Sequence, residues 1–424
     1  MSVVLFSVFA LALLLSVPVT FALALACAAA ILWHGGLPGT IVPQQIVSAI
    51  DTSPLLAIPL FILFGEIVSS GSIGRRLVAL CDALVGWVRG GLAHANILAS
   101  MFFGGISGAA TADTAAIGSV MVPEMKRKGY PGRFAAVVTC TSSVMGNLIP
   151  PSIDLIIYAW LTGTPVDRLF AAGIVPALML GLGMMFVAYQ STRRHGYGEP
   201  RQFRLREVGQ RFSGALAALG MPVLIVGGIL GGYFTVTESA ALATVYGLAI
   251  SLFWYRDLSL RQLPGIFCRA AMMIGSVMFL LGTAAVFSWI MTRDRLPQNL
   301  SAFLLETFPS PAFFVINVVL VSLLCGLFLT PATALIVLTP ILYPTAMALG
   351  FDAVHFGILL ISSLALGHVT PPVGLTLFIG ASLAREPVDA LFRPLLPFFL
   401  VLVLVVLLIA YAPAVTLFLP GLMG

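Results

Sequence analysis

Glycines and small residues with oxygen-bearing side chains gather at two stretches of a chain that is otherwise apolar. Sodium prefers oxygen ligands, and a hairpin tip beside an unwound helix supplies them as hydroxyls and freed backbone carbonyls. The first candidate sodium set is Ser107, Gly108, Thr111, Gly146, Asn147 and Ile149. The second candidate set is Thr330, Thr333, Gly367, Val369 and Thr370. A lone Ser or Thr more often bonds back to its own helix, but two matching clusters favour an ion.

Other residues beside the same stretches are predicted to contact a substrate. An unpaired charge costs at least ~2.5–3.5 kcal/mol at the bilayer centre, so function is the default interpretation of acids in such segments. Asp113 has an equally good alternative as a helix N-cap, and His368 has one as a structural histidine. Glu238 follows a short turn and is predicted to be a cap. The candidate substrate residues are Asp113, Pro150, Ser152, Asp154, His368, Pro371 and Thr376.

The element that must position the first set is a helix broken by two consecutive prolines, Pro150 and Pro151. Proline lacks the backbone donor and clashes with the preceding turn, so the pair frees several carbonyls. In hydrocarbon, such carbonyls are tolerated only where protein or a water-lined cavity covers them. A polar hairpin tip beside a broken helix is how secondary transporters build a site at the membrane midplane.

The second half of the chain contains a second helix broken by two consecutive prolines. Segment 367–372 matches 146–151, and Pro344 matches Pro123 at the same separation of 221 residues. A constant separation over several matched positions indicates a duplicated unit.

Composition restricts the class of protein. The chain has 424 residues, of which 60% are hydrophobic and 9% charged, and its mean hydropathy is +1.08. Soluble domains are about 25% charged, so the sequence predicts an all-α polytopic membrane protein. The net charge of +5 lies mostly in short loops and therefore reports orientation in the membrane, with no nucleic-acid partner expected. Neither an enzyme motif nor a cofactor-binding motif is recognisable.

The repeat divides the chain into three parts. Residues 1–190 form the first repeat, 191–234 a basic cytoplasmic loop with one linking span, and 235–424 the second repeat. An odd number of crossings separates the two broken helices, so the copies are predicted to have opposite topology. Inverted repeats with broken helices indicate alternating access.

Each repeat is predicted to contain a re-entrant hairpin followed by a broken helix. Segment 91–125 is flanked by basic residues on both sides and should return to the side that it left. Its counterpart is 311–349. The broken helices cover 134–161 and 352–383.

The remaining segments are predicted to be spans, loops and interfacial arms. Residues 2–33 form one uncharged crossing, 34–51 a loop, and 388–413 the last crossing. The amphipathic stretches 75–89 and 295–309 are predicted to lie along the membrane interface.

The same stretches carry a resemblance to a known family. Over nearly its whole length the chain resembles the large membrane subunit of tripartite ATP-independent periplasmic (TRAP) transporters. The segments that carry the resemblance are 101–108 (MFFGGISG) with Ala112-Asp113, 149–153 (IPPSI), 370–374 (TPPVG), 89–93 (RGGLA) and 237–241 (TESAA).

This resemblance implies sodium-coupled import of an organic acid by an elevator motion in the bacterial inner (cytoplasmic) membrane. It also implies two protein partners, a four-helix small membrane subunit and a soluble periplasmic substrate-binding protein. Asn147, Asp154, His368 and Thr376 depart from the residues usual in the family, which leaves the acid open. Four-carbon dicarboxylates, sialic acid, keto acids and sulfonates all fit half-helix N-termini that favour a carboxylate or similar anion.

Two other functions stay open at this point. A self-sufficient sodium–dicarboxylate symporter of the same architecture would transport without protein partners. An intramembrane hydrolase would use Asp113 and Asp154 as paired acids, although one catalytic pair has no use for two similar sites.

Overall fold

The computed structural model describes residues 1–36, 38–198, 202–307 and 310–423. Within these ranges all regular secondary structure is helical. Seven of the described helices are long and apolar enough to cross a membrane, or eight if one bent pair counts as a single span. The predicted all-α polytopic fold is therefore confirmed. Positions 199–201 of the predicted basic loop and 308–309 of the second predicted arm lie outside the described residues.

The N-terminal segment differs from the prediction of one long crossing. It forms two shorter helices, α1 (Ser2–Leu14) and α2 (Val19–His34), which pack against each other. Pro18 is the N-cap of α2, and its missing backbone N–H interrupts the helical hydrogen-bond pattern at this point. An uncharged run of sufficient length is thus not enough to predict a single span.

A third helix occupies the stretch that was predicted to be a loop. In α3 (Ile41–Ile50), the apolar residues Val42, Ile46 and Ile50 recur at helical spacing and give the helix one apolar face. The span α4 (Ser53–Ser70) and the amphipathic arm α5 (Ile73–Val85) follow where the sequence predicts them.

In the first half, two helices joined by a short turn lie where the hairpin was predicted, and two helices on either side of the proline pair lie where the broken helix was predicted. A long helix follows them, and re-entry of the hairpin into the membrane stays a prediction. Between the two halves of the broken helix, the chain makes a short 3₁₀ turn (Val144–Asn147) and then an irregular segment with Pro150 and Pro151. The helices are α6 (Gly91–Ser107) and α7 (Ala110–Arg127) of the hairpin, α8 (Gly132–Ser143) and α9 (Ile153–Thr162) of the broken helix, and α10 (Val166–His195).

The middle of the chain contains three long helices and the second arm. Glu238 forms a capping box with Thr235 at the start of the second of these helices, which confirms its predicted role as a cap. The helices are α11 (Leu205–Leu230), α12 (Val236–Ala249), α13 (Leu263–Arg293), against which α3 packs, and the arm α14 (Leu296–Thr307).

In the second half, two pairs of helices again lie at the positions predicted for the hairpin and the broken helix, and re-entry of the hairpin stays a prediction. The final predicted crossing is present as α19, and a short helix that the sequence did not suggest follows it. These helices are α15 (Pro311–Phe328), α16 (Pro331–Ala348), α17 (Ala353–Gly367), α18 (Leu375–Ala384), α19 (Phe392–Tyr411) and α20 (Ala414–Leu422).

The packing of these elements brings the two halves together at their broken helices. Arm α5 packs on α6, and arm α14 packs on α16. The second part of each broken helix contacts the opposite half of the chain: α9 lies against α16 of the second hairpin, while α18 lies against α7 of the first hairpin and α8 of the first broken helix. The candidate residues of both halves are therefore gathered at the centre of the protein. Opposite topology and an elevator motion stay predictions.

Candidate ion and substrate site

Direct backbone packing closes the first hairpin tip against the first broken helix. A Cβ atom on Gly104 would lie only 2.9 Å from the Cα of Gly146. Gly108 follows α6 with φ +64°, and a Cβ atom there would lie 2.5 Å from the carbonyl oxygen of Pro151. Gly108 thus combines a left-handed conformation with a close backbone contact, which only glycine tolerates without strain.

Two polar side chains add hydrogen bonds to this closure. The amide of Ala110, at the start of α7, donates to Oδ1 of Asn147 at 2.9 Å. The hydroxyl of Ser152 donates to the carbonyl of Asn147 at 2.6 Å and accepts from the amide of Leu155 at 3.4 Å. Ser152 is therefore the N-cap of α9, and Asn147 connects the tip to the break.

Several buried polar atoms at this tip have no hydrogen-bond partner among the described residues. They include the hydroxyl of Ser107, Nδ2 of Asn147 and both carboxylate oxygens of the fully buried Asp113. The hydroxyls of Ser100 and Ser143 lie near Asp113 but outside hydrogen-bond geometry. Buried polar atoms are normally paired, so unpaired oxygens at a helix break fit a bound cation such as sodium.

The alternative role of Asp113 as a helix cap is wrong. The N-cap position of α7 is Ala109, and no side chain caps this helix end. Asp113 lies four residues further on, with its carboxylate in the protein interior. Its carboxylate is buried without an ion-pair partner among the described residues, and ligand binding stays a prediction for this residue.

The second hairpin tip is more open than the first. Thr330 is exposed and acts as the N-cap of α16, where its hydroxyl accepts from the amide of Thr333 at 3.4 Å and lies 2.9 Å from the Thr333 hydroxyl. The hydroxyl of Thr370 donates to the carbonyl of Leu366, in the last turn of the preceding helix α17, at 2.8 Å. Thr370 therefore bonds to a nearby helix carbonyl, which is the alternative to ion binding for Ser and Thr side chains.

His368 is the buried polar group of the second break. Its side chain is 2% exposed, and neither ring nitrogen has a hydrogen-bond partner among the described residues. The carbonyl of Leu329 lies near the ring but outside hydrogen-bond geometry. The carbonyl of His368 accepts from the amide and hydroxyl of Thr376, at 3.3 and 2.9 Å. The imidazole is thus buried, and its role in ligand binding stays a prediction.

The structure also places the remaining candidates near the two breaks. Ile149, Pro150 and Val369 lie in the irregular segments, where Ile149 is half-buried and the other two are buried. Asp154 is buried in the first turn of α9, and Thr111 is half-buried in the first turn of α7. Pro371 is half-buried next to the exposed Pro372.

Thr376 connects the two sets of candidates. Its carbonyl accepts a hydrogen bond of 3.0 Å from the thiol of Cys140 on α8. A residue from the second broken helix therefore lies directly against the first broken helix, within the contact of α18 with α8.

A polar network next to Asp113 was missed by the sequence reasoning. Asn96 donates to the hydroxyl of Thr139 at 2.7 Å, and Ser142 donates to the hydroxyl of Ser100 at 2.9 Å. These side chains are buried between α6 and α8. The signal was their spacing, because Asn96 and Ser100 lie one helical turn apart on a single face.

Comparison with known proteins identifies relatives along almost the whole chain. Residues 6–415 match the family described as "Tripartite ATP-independent periplasmic transporter, DctM component". The C4-dicarboxylate TRAP transporter large permease protein DctM of Pseudomonas aeruginosa is 40% identical over 370 residues, which is 87% of each chain. The isethionate TRAP transporter permease protein DctMQ of Oleidesulfovibrio alaskensis is 37% identical over 419 residues, covering 99% of this chain and 66% of the relative.

Solved structures show the same fold at low sequence identity. The crystal structure of the Alcanivorax borkumensis YdaH transporter aligns with a TM-score of 0.64 and 14% identity, and the alignment covers 86% of each chain. This similarity supports the arrangement of helices and nothing finer.

Proposed function

Since the chain belongs to the DctM component family of tripartite ATP-independent periplasmic transporters and is a multi-pass protein of the bacterial inner membrane, we propose that it is the translocation subunit of a sodium-coupled importer of a small organic acid. The observation that carries the proposal is the set of unpaired buried oxygens on Ser107 and Asp113 beside the first broken helix. These oxygens have no hydrogen-bond partner among the described residues, so they are free to coordinate a cation.

An organic anion is the substrate class best supported. The names of the relatives specify C4-dicarboxylates and isethionate, and both are small organic anions. In this chain, α7 and α16 begin at the two hairpin tips, where their N-terminal amides favour a negative charge. His368 adds a buried imidazole without a partner among the described residues, and a carboxylate or sulfonate oxygen would accept a hydrogen bond from it.

A transporter with protein partners is favoured over a self-sufficient symporter. The family is named for a tripartite system, and the DctMQ relative extends well beyond the region that this chain covers. We therefore propose that a small membrane subunit and a periplasmic binding protein complete the system. Membership of a transporter family also removes the reason to treat Asp113 and Asp154 as a hydrolase pair.

The proposal is tested by uptake into proteoliposomes that contain the complete system. A radiolabelled C4-dicarboxylate or isethionate is supplied with the corresponding binding protein, with and without an inward sodium gradient. Uptake is expected only with the gradient and with both partners. Robust uptake by the lone chain would establish the self-sufficient symporter, and uptake that follows only a proton gradient would refute sodium coupling.

Replacement of one proposed ligand provides a sharper test. Ser107→Ala is expected to weaken sodium activation about ten-fold, since one contact to a charged group contributes about 1.5–3 kcal/mol. Ser119→Ala is the matched control, because the Ser119 hydroxyl is exposed on the same hairpin and bonds to the carbonyl of Ala116. Equal sodium dependence in both variants would contradict the assignment of Ser107.

A further inference from the structure

A separate pocket lies where α8, α10 and α19 meet at one end of the protein. Its volume is about 310 Å³, and its polar lining is formed by Arg133, Ser191, His195 and Arg393. Both arginines are exposed, and neither has an ion-pair partner within the part of the chain that the structure describes. Two guanidinium groups from opposite halves of the chain therefore converge on one small cavity that lacks a counter-charge.

The chemistry of this pocket suits a phosphate group. A guanidinium presents a planar fork of donors that matches phosphate oxygens, and two forks on one anion hold it more firmly than isolated surface charges would. Nδ1 of His195 lies 2.9 Å from the carbonyl of Ser191, which can only accept, so Nδ1 carries a proton and Nε2 is the ring nitrogen left for a ligand. That nitrogen suits a hydroxyl on the ligand.

Aromatic rings fix the walls of the pocket. The ring of His195 stacks on Tyr197 at 5.2 Å, and Tyr197 contacts Phe134 at 5.5 Å. Phe134 is buried against Phe398 of α19. The imidazole is thus held in one orientation, and the pocket has an apolar wall beside its cationic side.

The position of Arg393 favours a lipid over a soluble anion. A stripe of exposed leucines continues along α19 on the same face as Arg393, at spacings of three and then four residues. Its members are Leu396, Leu400, Leu404 and Leu408, which are 59, 53, 63 and 43% exposed. From the first to the last, the helix rises about 18 Å, close to the depth of one leaflet in a hydrocarbon core of about 30 Å.

The pocket also lies at the membrane side where anionic lipids are found. α10 ends at its rim with the basic residues Arg193, Arg194 and His195, which the positive-inside rule assigns to the cytoplasm. The cytoplasmic leaflet carries a negative surface potential, and basic pockets between spans on that side bind phospholipid headgroups.

We propose that this pocket binds the phosphate of an anionic phospholipid from the cytoplasmic leaflet, with Arg133 and Arg393 as its ligands and an acyl chain along the leucine stripe of α19. A headgroup hydroxyl, as in phosphatidylglycerol, pairs with Nε2 of His195. The lipid would bridge the first broken helix and the last long helix at their cytoplasmic ends. This role is independent of sodium coupling and of the transported acid.

Native mass spectrometry of the full chain in mild detergent tests the proposal. Dioleoylphosphatidylglycerol is titrated against the wild type, against R133Q/R393Q and against R193Q/R194Q. The last variant removes the same charge from exposed arginines that do not line the pocket. The first bound lipid is expected to bind about ten-fold more weakly to R133Q/R393Q and within two-fold of wild type to R193Q/R194Q. Dioleoylphosphatidylcholine should bind weakly to all three proteins.

Three results would overturn the proposal. Equal losses in the two glutamine variants would show that only general charge matters, and unchanged binding in both would show that the pocket is not used. Displacement of the lipid by millimolar inorganic phosphate would assign the pocket to free phosphate. If R133Q/R393Q is not monodisperse, R133K/R393K keeps the charge while losing the planar forks, so a loss of three-fold or more supports the proposal and wild-type binding contradicts it.

Discussion

The two hairpin tips meet their broken helices in different ways. At the first tip, a hydrogen bond from Ala110 to Asn147 joins hairpin and break, and the prolines of the break are buried. At the second tip, Thr330 is exposed, and no hydrogen bond joins residues 329–333 to residues 367–376 in the described structure. Asn147 and His368 occupy matched positions, yet only Asn147 forms a side-chain bond to its hairpin.

The glycine contacts show the opposite difference. A Cβ atom on Gly367 would lie 2.6 Å from the Cα of Gly326, whereas one on Gly146 would lie 3.5 Å from the Cα of Gly104. A Cβ atom on Gly104 or on Gly326 would lie 2.9 Å from the Cα of the facing glycine, so both halves pack backbone against backbone, and only the first half adds a hydrogen bond at its tip. A tip without hydrogen bonds to its break can separate from it at lower cost, so the second half is the better candidate for a local opening.

The largest expected effect comes from adding one methyl group at each of these matched glycines. Gly367→Ala places its Cβ atom against backbone that cannot move aside, and such overpacking costs about 1–3 kcal/mol or more. Gly146→Ala makes only ordinary contacts and should keep most of the stability. Thermal melting and uptake by the reconstituted system measure both, and equal loss in the two variants would contradict the difference in packing.

The second prediction removes the bond that closes the first tip. Asn147→Ala leaves the amide of Ala110 buried without its acceptor, which costs about 1–3 kcal/mol. His368→Ala should lower the stability less through lost hydrogen bonds, because the ring nitrogens of His368 have no hydrogen-bond partner among the described residues. A single cysteine introduced at Ser107 reports the opening: its labelling by a water-soluble maleimide should speed up with Asn147→Ala and stay slow with His368→Ala.

Much of this arrangement could be predicted because it depends on local backbone chemistry. Two adjacent prolines cannot continue a helix, so both breaks were found, and the basic turn at 126–133 set the limits of the first hairpin. Residues 2–33 do not form the single predicted crossing, because Pro18 alone is enough to separate α1 from α2. The helix α20, which begins directly after Pro413, was not predicted.

The roles of single residues were harder to predict, because they depend on contacts between distant segments. Asp113 fitted a cap by its position in the sequence, and only the observed start of α7, with Ala109 at its N-cap, excludes that role. Thr370 matched the ion-binding pattern, although its hydroxyl bonds to the last turn of the preceding helix α17. The hydroxyl of Ser107 became the stronger candidate only when the structure showed it buried and unpaired.

The smallest expected effect is that of removing the Thr370 hydroxyl, which tests whether the second break supplies a side-chain ligand to sodium. Because its hydroxyl already donates to Leu366, Thr370→Val should change sodium activation by less than about two-fold, at a net cost near 1 kcal/mol for the lost hydrogen bond. Under the same conditions Ser107→Ala should weaken sodium activation about ten-fold, since the Ser107 hydroxyl has no partner among the described residues. Sodium titration of uptake in matched proteoliposomes compares the two variants directly. A shift for Thr370→Val as large as that for Ser107→Ala would mean that the second break also supplies a side-chain ligand, and that its hydroxyl exchanges the Leu366 carbonyl for the ion. Wild-type behaviour in both variants would instead leave the Asp113 carboxylate and backbone carbonyls as the ligands, and the two tips would then differ only in how they close.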